Sequence, residues 1–373
     1  MRNGWSAGVD VGGVNGPMSE RGSSPIPNLH RLSLPTPFPC GPINVYLAEG
    51  DQLTLVDTGP RTSRTWDTLA RALSDHGYEV ADIRRVIVTH AHVDHFGLAA
   101  RIVAESGAQV LTLAHNRPWL EDYGAQQQRR AAFYEAVLRR GGVPAGVIDG
   151  TTNTALSMIA RYAEAVSAVT LLAGGDVLRL AGLDWTVLHT PGHAIGHLCL
   201  YQPGTRLLIS GDHLIQHISS NPVIEPPAPG ASERPRSLVL YLRSLQRVAE
   251  LDVNLALPGH GEPITDHCAL IAERLQHHEA RLARILTALD SRPRTAYEIT
   301  QAILPNLSPL DVFLGLSEVI GHLDILMDRG QVVEEDEGNL ARYRRTQNVN
   351  RETSSCHATR NTQHVTRNTK QKE

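Results

Sequence analysis

The sequence predicts a layered α/β domain followed by a smaller, mainly helical region. Between about residues 44 and 257, short apolar runs typical of strands alternate with segments whose apolar residues recur at helical spacing. Strands and helices mixed on this scale pack as sheets covered by helices. After Pro263 the strand runs give way to a helical stripe. The chain has 373 residues, 41% hydrophobic and 20% charged, so it is long enough to bury a sizeable core without disulfides.

Composition excludes several classes of protein. The net charge of −4 argues against a chain drawn as a whole to nucleic acid or to an anionic membrane. No apolar run approaches the length of a transmembrane helix, and the first 25 residues lack the apolar core of a secretory signal, so we expect a cytoplasmic protein. The cysteines form no C-x-x-C pair and are interpreted as isolated thiols rather than a thiolate zinc site. They are Cys40, Cys199, Cys268 and Cys356.

The elements of the α/β region follow from local pattern. We expect a disordered leader over residues 1–27 and a disordered tail over residues 346–373, because these segments have little to bury. Helical spacing predicts an inserted helical pair over residues 116–168. The predicted strands are Asn44–Leu47, Leu53–Val56, Arg85–Val88, Gln109–Leu113, Val177–Leu180, Trp185–Leu188, His197–Tyr201, Leu207–Ser210 and Leu255–Leu257. The other predicted helices are Thr65–His76, Phe96–Ser106 and Leu238–Glu250.

Residues 267–345 show the order helix, helix, helix, hairpin. A long helical stripe is followed by Tyr297–Leu304, a break at Pro305, and the helix Ser308–Arg329. A hairpin then forms around Glu337-Gly338-Asn339. This order is that of a small winged-helix module. His277 and His278, on the first of these helices, are expected at the surface.

The strongest chemical signal is the segment Thr89–His95, which directly follows a buried strand. It carries His90, His92, Asp94 and His95. Imidazole and carboxylate groups are the ligands that suit Zn²⁺. An extended backbone after the strand puts His90 and His92 on one side.

Further candidate ligands lie at other strand ends, each beside a glycine that permits a tight turn or a close backbone approach. His193 ends Thr190-Pro191-Gly192-His193, Asp212 lies in Ser210-Gly211-Asp212-His213, and His260 lies in Pro258-Gly259-His260-Gly261. Asp57 ends an earlier strand in the same way. These groups are numerous enough to complete two metal sites.

Taken together, these motifs resemble those of the metallo-β-lactamase-fold hydrolases over about residues 30 to 266. The resemblance implies a four-layer αββα hydrolase domain over residues 28–266. Residues 267–345 resemble the winged-helix domain appended in a branch that includes endoribonuclease-like members. The bridging carboxylate with a full histidine set is similar to the glyoxalase II, lactonase and ribonuclease Z group. The lactamases that hydrolyse antibiotics lack this set, and flavodiiron relatives carry Glu at the place of His92.

The resemblance also implies a role for each residue. His90, His92 and His193 would hold a first zinc ion, Asp94, His95 and His260 a second, and Asp212 would bridge both. Asp57 would orient the ligands. The expected catalytic carboxylates are Asp57, Asp94 and Asp212. Two ions roughly 3.5–4 Å apart lower the pKa of a water between them, so a metal-bound hydroxide is the expected nucleophile. Mixed zinc–iron or manganese occupancy stays open.

The favoured function is hydrolysis of a small acyl substrate, a thioester or ester, in the manner of a hydroxyacylglutathione hydrolase. Weaker substrate-contact candidates are His213 and His217, which follow Asp212, and Tyr134 and Met158 in the insertion. The insertion could equally pack its own small core or form a homodimer contact. Three alternatives stay open: a phosphodiesterase acting on RNA, a lactonase, and a DNA-binding metal-bound regulator. The acidic run Glu334–Glu337 in the predicted wing argues against a nucleic-acid partner, and no membrane partner is expected.

Overall fold

The computed structural model describes residues 26–148, 158–290, 292–308 and 311–346. The predicted leader and tail lie almost wholly outside these residues, as does part of the insertion. In the described part of the chain, no helix combines the length and apolar character that a membrane-spanning segment requires.

Six strands form the first sheet, in the order β1-β2-β3-β4-β5-β6. The first three pair antiparallel, and β3 to β6 pair parallel. The strands are β1 Leu29–Leu34, β2 Ile43–Ala48, β3 Thr54–Val56, β4 Arg85–Ile87, β5 Gln109–Leu113 and β6 Thr170–Leu172.

Five strands form the second sheet, in the order β11-β10-β9-β8-β7. Only β10 and β11 pair parallel within it. The strands are β7 Val177–Leu180, β8 Leu183–His189, β9 Leu198–Gln202, β10 Leu207–Gly211 and β11 Leu255–Pro258.

Helices cover the outer face of each sheet. Those before the second sheet are α1 Ser63–Asp75, α2 Val93–Phe96, α3 Ala99–Ser106, α4 Arg117–Glu121 and α5 Tyr123–Arg140. α6 Ser237–Ala249 lies between β10 and β11, and α7 His267–Ala288, α8 Ala296–Ile303 and α9 Val312–Asp328 follow β11.

Alternation along the strands explains the layers. In β2, Val45 and Leu47 pack with α1 and α3, whereas Tyr46 and Ala48 face the second sheet. In β10, Leu208 faces α6 while its neighbours face the first sheet. Both faces of these strands are buried, which accounts for their continuous apolar runs. The order helix, sheet, sheet, helix confirms the predicted four-layer fold.

Two strands and one helix differ from the sequence prediction. β1 and β6 were not predicted, since both mix polar with apolar residues. The predicted helix Phe96–Ser106 is wrong at its start, because the chain forms two helices, α2 and α3, separated at Gly97. A Cβ at Gly97 would lie 2.3 Å from the Tyr162 carbonyl oxygen and 2.7 Å from the Arg61 nitrogen, so the backbone is held tightly there.

The C-terminal region consists of α7 to α9 and a three-stranded sheet in the order β12-β14-β13. Its strands are β12 Arg294–Thr295, β13 Val332–Asp336 and β14 Ala341–Arg345. Its apolar residues, together with those of α6, the outer face of the second sheet and the end of α5, form one continuous core.

Candidate metal centre

The predicted ligands come together where loops leave the two sheets. The segment after β4 carries His90 and His92 and enters α2, which begins at Val93. The other loops follow β8, β10 and β11. Neighbouring strands therefore deliver side chains from distant parts of the sequence to one edge of the molecule.

Three imidazoles form one part of the centre. The Nδ1 atom of His92 lies 3.0 Å from His90 Nε2 and 3.0 Å from His193 Nε2. Two nitrogens on one tetrahedral zinc ion lie about 3.3 Å apart, so this spacing suits a shared ion. His90 is fully buried and His193 nearly so.

Two carboxylates and two imidazoles form the adjoining part. Asp94 Oδ2 lies 3.3 Å from His260 Nε2. Asp212 Oδ2 lies 3.4 Å from His95 Nε2, 3.6 Å from His193 Nε2 and 3.8 Å from His260 Nε2. Asp212 thus touches histidines of both parts, as a bridging ligand must.

Asp57 fixes the orientation of this cluster. Its carboxylate accepts the Thr89 backbone N–H and hydroxyl, each at 2.8 Å, and lies 2.8 Å from His95 Nδ1. An imidazole that donates through Nδ1 presents an unprotonated Nε2 to a metal. Asp57 itself has a φ of +64°, in the left-handed region that few non-glycine residues adopt.

Backbone contacts hold other members of the cluster in place. His260 Nδ1 lies 2.9 Å from the Pro42 carbonyl oxygen, which directs Nε2 towards Asp94. The ring of His197 is fully buried between Thr190 Oγ1, at 2.8 Å, and the Asp212 backbone N–H, at 3.1 Å. His197 therefore orders the Asp212 loop rather than presenting a free nitrogen.

Charge divides the centre into two halves. Burial lowers the pKa of His90, His92 and His193, to about 3 for His92, so these imidazoles are neutral donors at pH 7. Burial also opposes a charge on His95 and His260, but Asp212 and the other acids outweigh it. They raise the pKa of His95 well above its usual value and that of His260 to about 12. The acidic half therefore attracts cations, and a metal ion bound there would displace the Nε2 proton of each ring.

Several buried polar atoms at this point have no hydrogen-bond partner in the described chain. They are His95 Nε2, His193 Nδ1, Asp212 Oδ1 and His260 Nε2. Leaving buried polar groups unpaired is costly, so such a concentration needs an explanation. Divalent metal ions bound by these donors would satisfy His95, Asp212 and His260. The residue set fits the metals that the sequence predicts.

The weaker substrate candidates lie in different environments. His213 is fully buried, with its ring 5.5 Å from that of Tyr241, so it does not line an open cleft. His217 is exposed and lies beside Gly261, next to His260. Tyr134 is buried and stacks on Phe313 of α9, with 3.6 Å between ring centres. Met158 is 51% exposed.

One interpretation of an individual residue was wrong, and one residue near the centre was not singled out. His278 is not at the surface: it is 2% exposed, and its Nδ1 lies 3.1 Å from His322 Nε2 across the contact of α7 and α9. Cys40 is a free thiol, as expected, but its Sγ lies 3.9 Å from Asp94 Oδ2. No local signal marked Cys40, since it lies 54 residues from Asp94 in a proline-rich loop.

One half-buried acid was also missed. The Glu225 carboxylate accepts the Ile195 backbone N–H at 2.8 Å and so supports the loop that carries His193. Burial raises the pKa of Glu225 to about 7. Its position in a loop rich in proline offered no sequence signal of this contact.

Residues 38–260 match the sequence profile of the Metallo-beta-lactamase superfamily. A protein of Bacillus subtilis (strain 168) named probable metallo-hydrolase YqjP is 35% identical over 316 residues, covering 84% of this chain and 96% of that protein. The atrochrysone carboxyl ACP thioesterase of Aspergillus chevalieri is 22% identical over 283 residues, covering 73% of this chain and 71% of that protein.

Solved structures show the same fold. A metallo-beta-lactamase family protein from Thermus thermophilus aligns with a TM-score of 0.74 and 28% identity, over 87% of this chain and 100% of that one. A beta-lactamase domain protein from Burkholderia ambifaria aligns with a TM-score of 0.73 and 27% identity, over 86% of this chain and 93% of that one.

Proposed function

The chain belongs to the metallo-beta-lactamase superfamily, and from this premise we propose that it is a two-zinc hydrolase of small acyl compounds, with thioesters favoured. One observation carries the proposal: seven ligand-type side chains converge on two adjacent positions, and the contacts of Asp212 reach both.

The proposed ligands follow the geometry. His90, His92 and His193 would hold one ion, Asp94, His95 and His260 the other, and Asp212 would bridge them. When bound, the ions would supply an activated water and polarise the carbonyl under attack.

Other residues around the centre orient the ligands and exclude bulk water. Asp57 fixes the ring of His95 and, through Thr89, the start of the ligand loop. His197 fixes the backbone of Asp212. Burial of His90, His95 and His260 keeps bulk water from the side of the centre that faces the sheets. His217, exposed beside the His260 loop, is the candidate contact for the leaving group.

Two considerations favour an acyl substrate over nucleic acid. The Aspergillus chevalieri relative is named for thioester cleavage. In the C-terminal region, six of the eight arginines between residues 281 and 345 pair with carboxylates. Arginines held in this way offer little free positive charge to a phosphate backbone.

The C-terminal region is proposed to be a winged-helix domain whose role is packing. Its acidic strand β13 is bound to the insertion, since Arg140 of α5 contacts both Glu334 and Asp336. The predicted wing is thereby engaged within the chain.

A turnover panel on the purified full chain tests the proposed function, with zinc content measured on the same sample. The panel sets acyl-glutathione and acyl-coenzyme A thioesters and lactones against single-stranded RNA and bis(p-nitrophenyl) phosphate. We expect carbonyl cleavage with about two zinc ions per chain. Cleavage of phosphodiesters alone would move the protein to the nuclease branch.

The variant Asp94→Ala tests whether this proposed metal ligand is needed for activity. Removing a ligand should lower turnover by at least about 100-fold and reduce the bound zinc. Asp67→Ala, which changes an exposed aspartate on α1, should leave both unchanged. Full activity in the Asp94 variant after loss of one zinc ion would contradict the two-metal mechanism.

A further inference from the structure

The loop between β1 and β2 is fastened over the acidic half of the metal centre. Thr36 Oγ1 donates to the Gly41 carbonyl at 2.7 Å, and His260 Nδ1 lies 2.9 Å from the Pro42 carbonyl oxygen. Gly41 has a φ of +84°, which turns the chain back towards β2. Ile43, the first residue of β2, forms a bridge with His260. His260 therefore lies beneath this loop and also anchors it.

Cys40 lies at the point of this loop nearest the centre. Its Sγ is 3.9 Å from Asp94 Oδ2. One donor atom from each of Cys40, Asp94 and His260 lies within 4.8 Å of the other two. The thiol is half-buried, so it is partly sheltered from solvent and yet open to the centre.

The ring of His260 supplies a second observation at this corner. The Nε2 atom of His260 is buried and makes no hydrogen bond in the described chain, although His260 is only 1% exposed. It lies 3.3 Å from Asp94 Oδ2, and a ring nitrogen of His260 lies within 4.8 Å of the Cys40 sulfur. A cation between these three side chains would satisfy it.

We propose that Cys40 is an additional, thiolate ligand of the ion held by Asp94 and His260. This inference rests on the proposed two-metal centre. On binding, the S–H bond breaks and a sulfur–metal bond forms, the proton leaves to solvent, and no group is oxidised or reduced.

The spacing suits this role. A thiolate and a carboxylate oxygen in neighbouring positions on one zinc ion with more than four ligands lie about 3.0–3.7 Å apart, given zinc–sulfur and zinc–oxygen bonds of about 2.3 and 2.0 Å and angles of about 90–120°. The observed 3.9 Å needs a shift of only a few tenths of an ångström.

A thiolate at this position also selects the metal. Soft sulfur ligands favour zinc, whereas sites of carboxylate, carbonyl and water suit manganese and magnesium. Without Cys40, the carboxylates at this position would also accept manganese or magnesium. With the thiolate of Cys40 as a ligand, we expect zinc to be preferred.

Substitution with Co²⁺ tests the proposal directly. Cobalt bound to a thiolate shows an intense sulfur-to-metal charge-transfer absorption in the near ultraviolet, separate from the weaker visible bands that report all bound cobalt. We expect this absorption in the unaltered chain, its loss in Cys40→Ser, and its retention in Cys268→Ser, where an exposed thiol on α7 is changed.

Zinc affinity gives an independent readout. Loss of a group that only orients a ligand costs about 10–100-fold in metal affinity, and loss of a direct ligand should cost no less. Chelator competition should therefore show at least about tenfold weaker binding of one of the two ions in Cys40→Ser, and no change in Cys268→Ser.

Alkylation of the unaltered chain covers the case in which Cys40→Ser fails to fold. Iodoacetamide followed by peptide mass mapping should modify Cys40 in the metal-free protein and spare it when zinc is bound. Cys268 should react in both states.

The possible outcomes are distinct. Two bound cobalt ions without the charge-transfer absorption, or an absorption that persists in Cys40→Ser, would overturn the assignment of Cys40 and leave the two-metal centre intact. A chain that binds neither cobalt nor zinc would overturn both proposals.

Discussion

Asp57 shows how one residue can be selected against its own backbone preference. Its φ of +64° lies where a glycine would be at ease, and a non-glycine residue there costs of the order of 1–3 kcal/mol. The carboxylate nevertheless makes three contacts at 2.8 Å, two with Thr89 and one with His95. The local strain is therefore tolerated because it places an acceptor beneath the ligand loop.

The substitution Asp57→Asn should weaken metal binding without removing a ligand. The amide keeps the size of the side chain, but it is neutral and holds the His95 ring less firmly. We expect about 10–100-fold lower affinity for the ion at the acidic half, measured by chelator competition. Asp67→Asn on the exposed face of α1 is the matched control. Unchanged affinity in Asp57→Asn would show that His95 needs no such support.

His278 and His322 form a second residue-scale feature, remote from the ligands. His322 Nδ1 donates to the Glu318 carbonyl at 2.6 Å, which leaves Nε2 free to accept from His278 Nδ1. Burial lowers the pKa of each to about 4, and Arg281 and His277 add to the effect on His278 while the Glu318 carboxylate opposes it. Both rings are therefore neutral in the folded protein.

This pair should make the stability of the fold depend on pH. The pKa of each ring is about 4 when folded and about 6.5 when unfolded, so the unfolded chain binds more protons between these values. The free energy of unfolding should be highest above about pH 6.5 and fall as the pH drops towards 4.

Urea unfolding across this range measures the effect. His322→Gln should reduce the slope by up to about one proton relative to the unaltered chain. Gln128→Ala, which changes an exposed side chain on α5 that does not titrate, should leave the slope unchanged. Histidines of the metal centre are common to all three chains, so the comparison cancels them. An equal slope in all three would contradict the prediction.

At the scale of elements, sequence pattern located most strands of the two main sheets. β5 and β7 agree with the prediction at both ends, because their neighbours are turn residues and their cores are aliphatic. β1 and β6 were not predicted from the sequence. β6 is a three-residue edge strand with two exposed residues, and it is a strand only because β5 lies beside it. Such tertiary causes leave no local signal.

The site residues also divide into those that local sequence pattern identifies and those that only the fold brings together. The segment Thr89–His95 was visible because four ligand-type residues are adjacent in the sequence. His193, Asp212 and His260 were found through the glycines beside them. Cys40 and Glu225 were not, since each reaches its partner through a loop path that only the folded chain defines.

The end of β11 depends on a close backbone approach. A Cβ built on Gly259 would lie 2.3 Å from Asp212 Oδ1 and 2.9 Å from His95 Cε1. These atoms are themselves held by the Asp57 and His197 contacts, so they have little freedom to move. The glycine thus allows two ligand loops to meet.

Gly259→Ala should accordingly displace Asp212. We expect about 1–3 kcal/mol of destabilisation from overpacking, measured by urea unfolding, together with weaker zinc binding. Gly124→Ala is the matched control, because a Cβ there, in helix α5, meets nothing within 4 Å. That variant should be neutral or slightly more stable, since alanine favours a helix. Full zinc affinity in Gly259→Ala would contradict the steric argument.

At the scale of the whole molecule, the C-terminal region and the hydrolase fold share one core. A Cβ on Gly321 of α9 would lie 2.9 Å from Leu238 Cβ of α6, so these helices approach closely. Asp324 forms a bidentate pair with Arg234, at 2.8 and 2.9 Å. The insertion joins the same contact, with Leu316 about 3.0 Å from the Cβ position of Gly141.

Because of this shared core, the chain should unfold as one unit and should not survive removal of residues 267–373. Truncation would expose the apolar face of α6 and of the second sheet, where each large aliphatic side chain left in water costs about 1.5–3 kcal/mol. We expect the truncated chain to aggregate, while the full chain gives coincident thermal transitions in near- and far-ultraviolet circular dichroism. Removal of residues 347–373 alone is the control, since this segment has little apolar surface to bury. A soluble residue 1–266 fragment that retains two zinc ions would show instead that the hydrolase fold is independent.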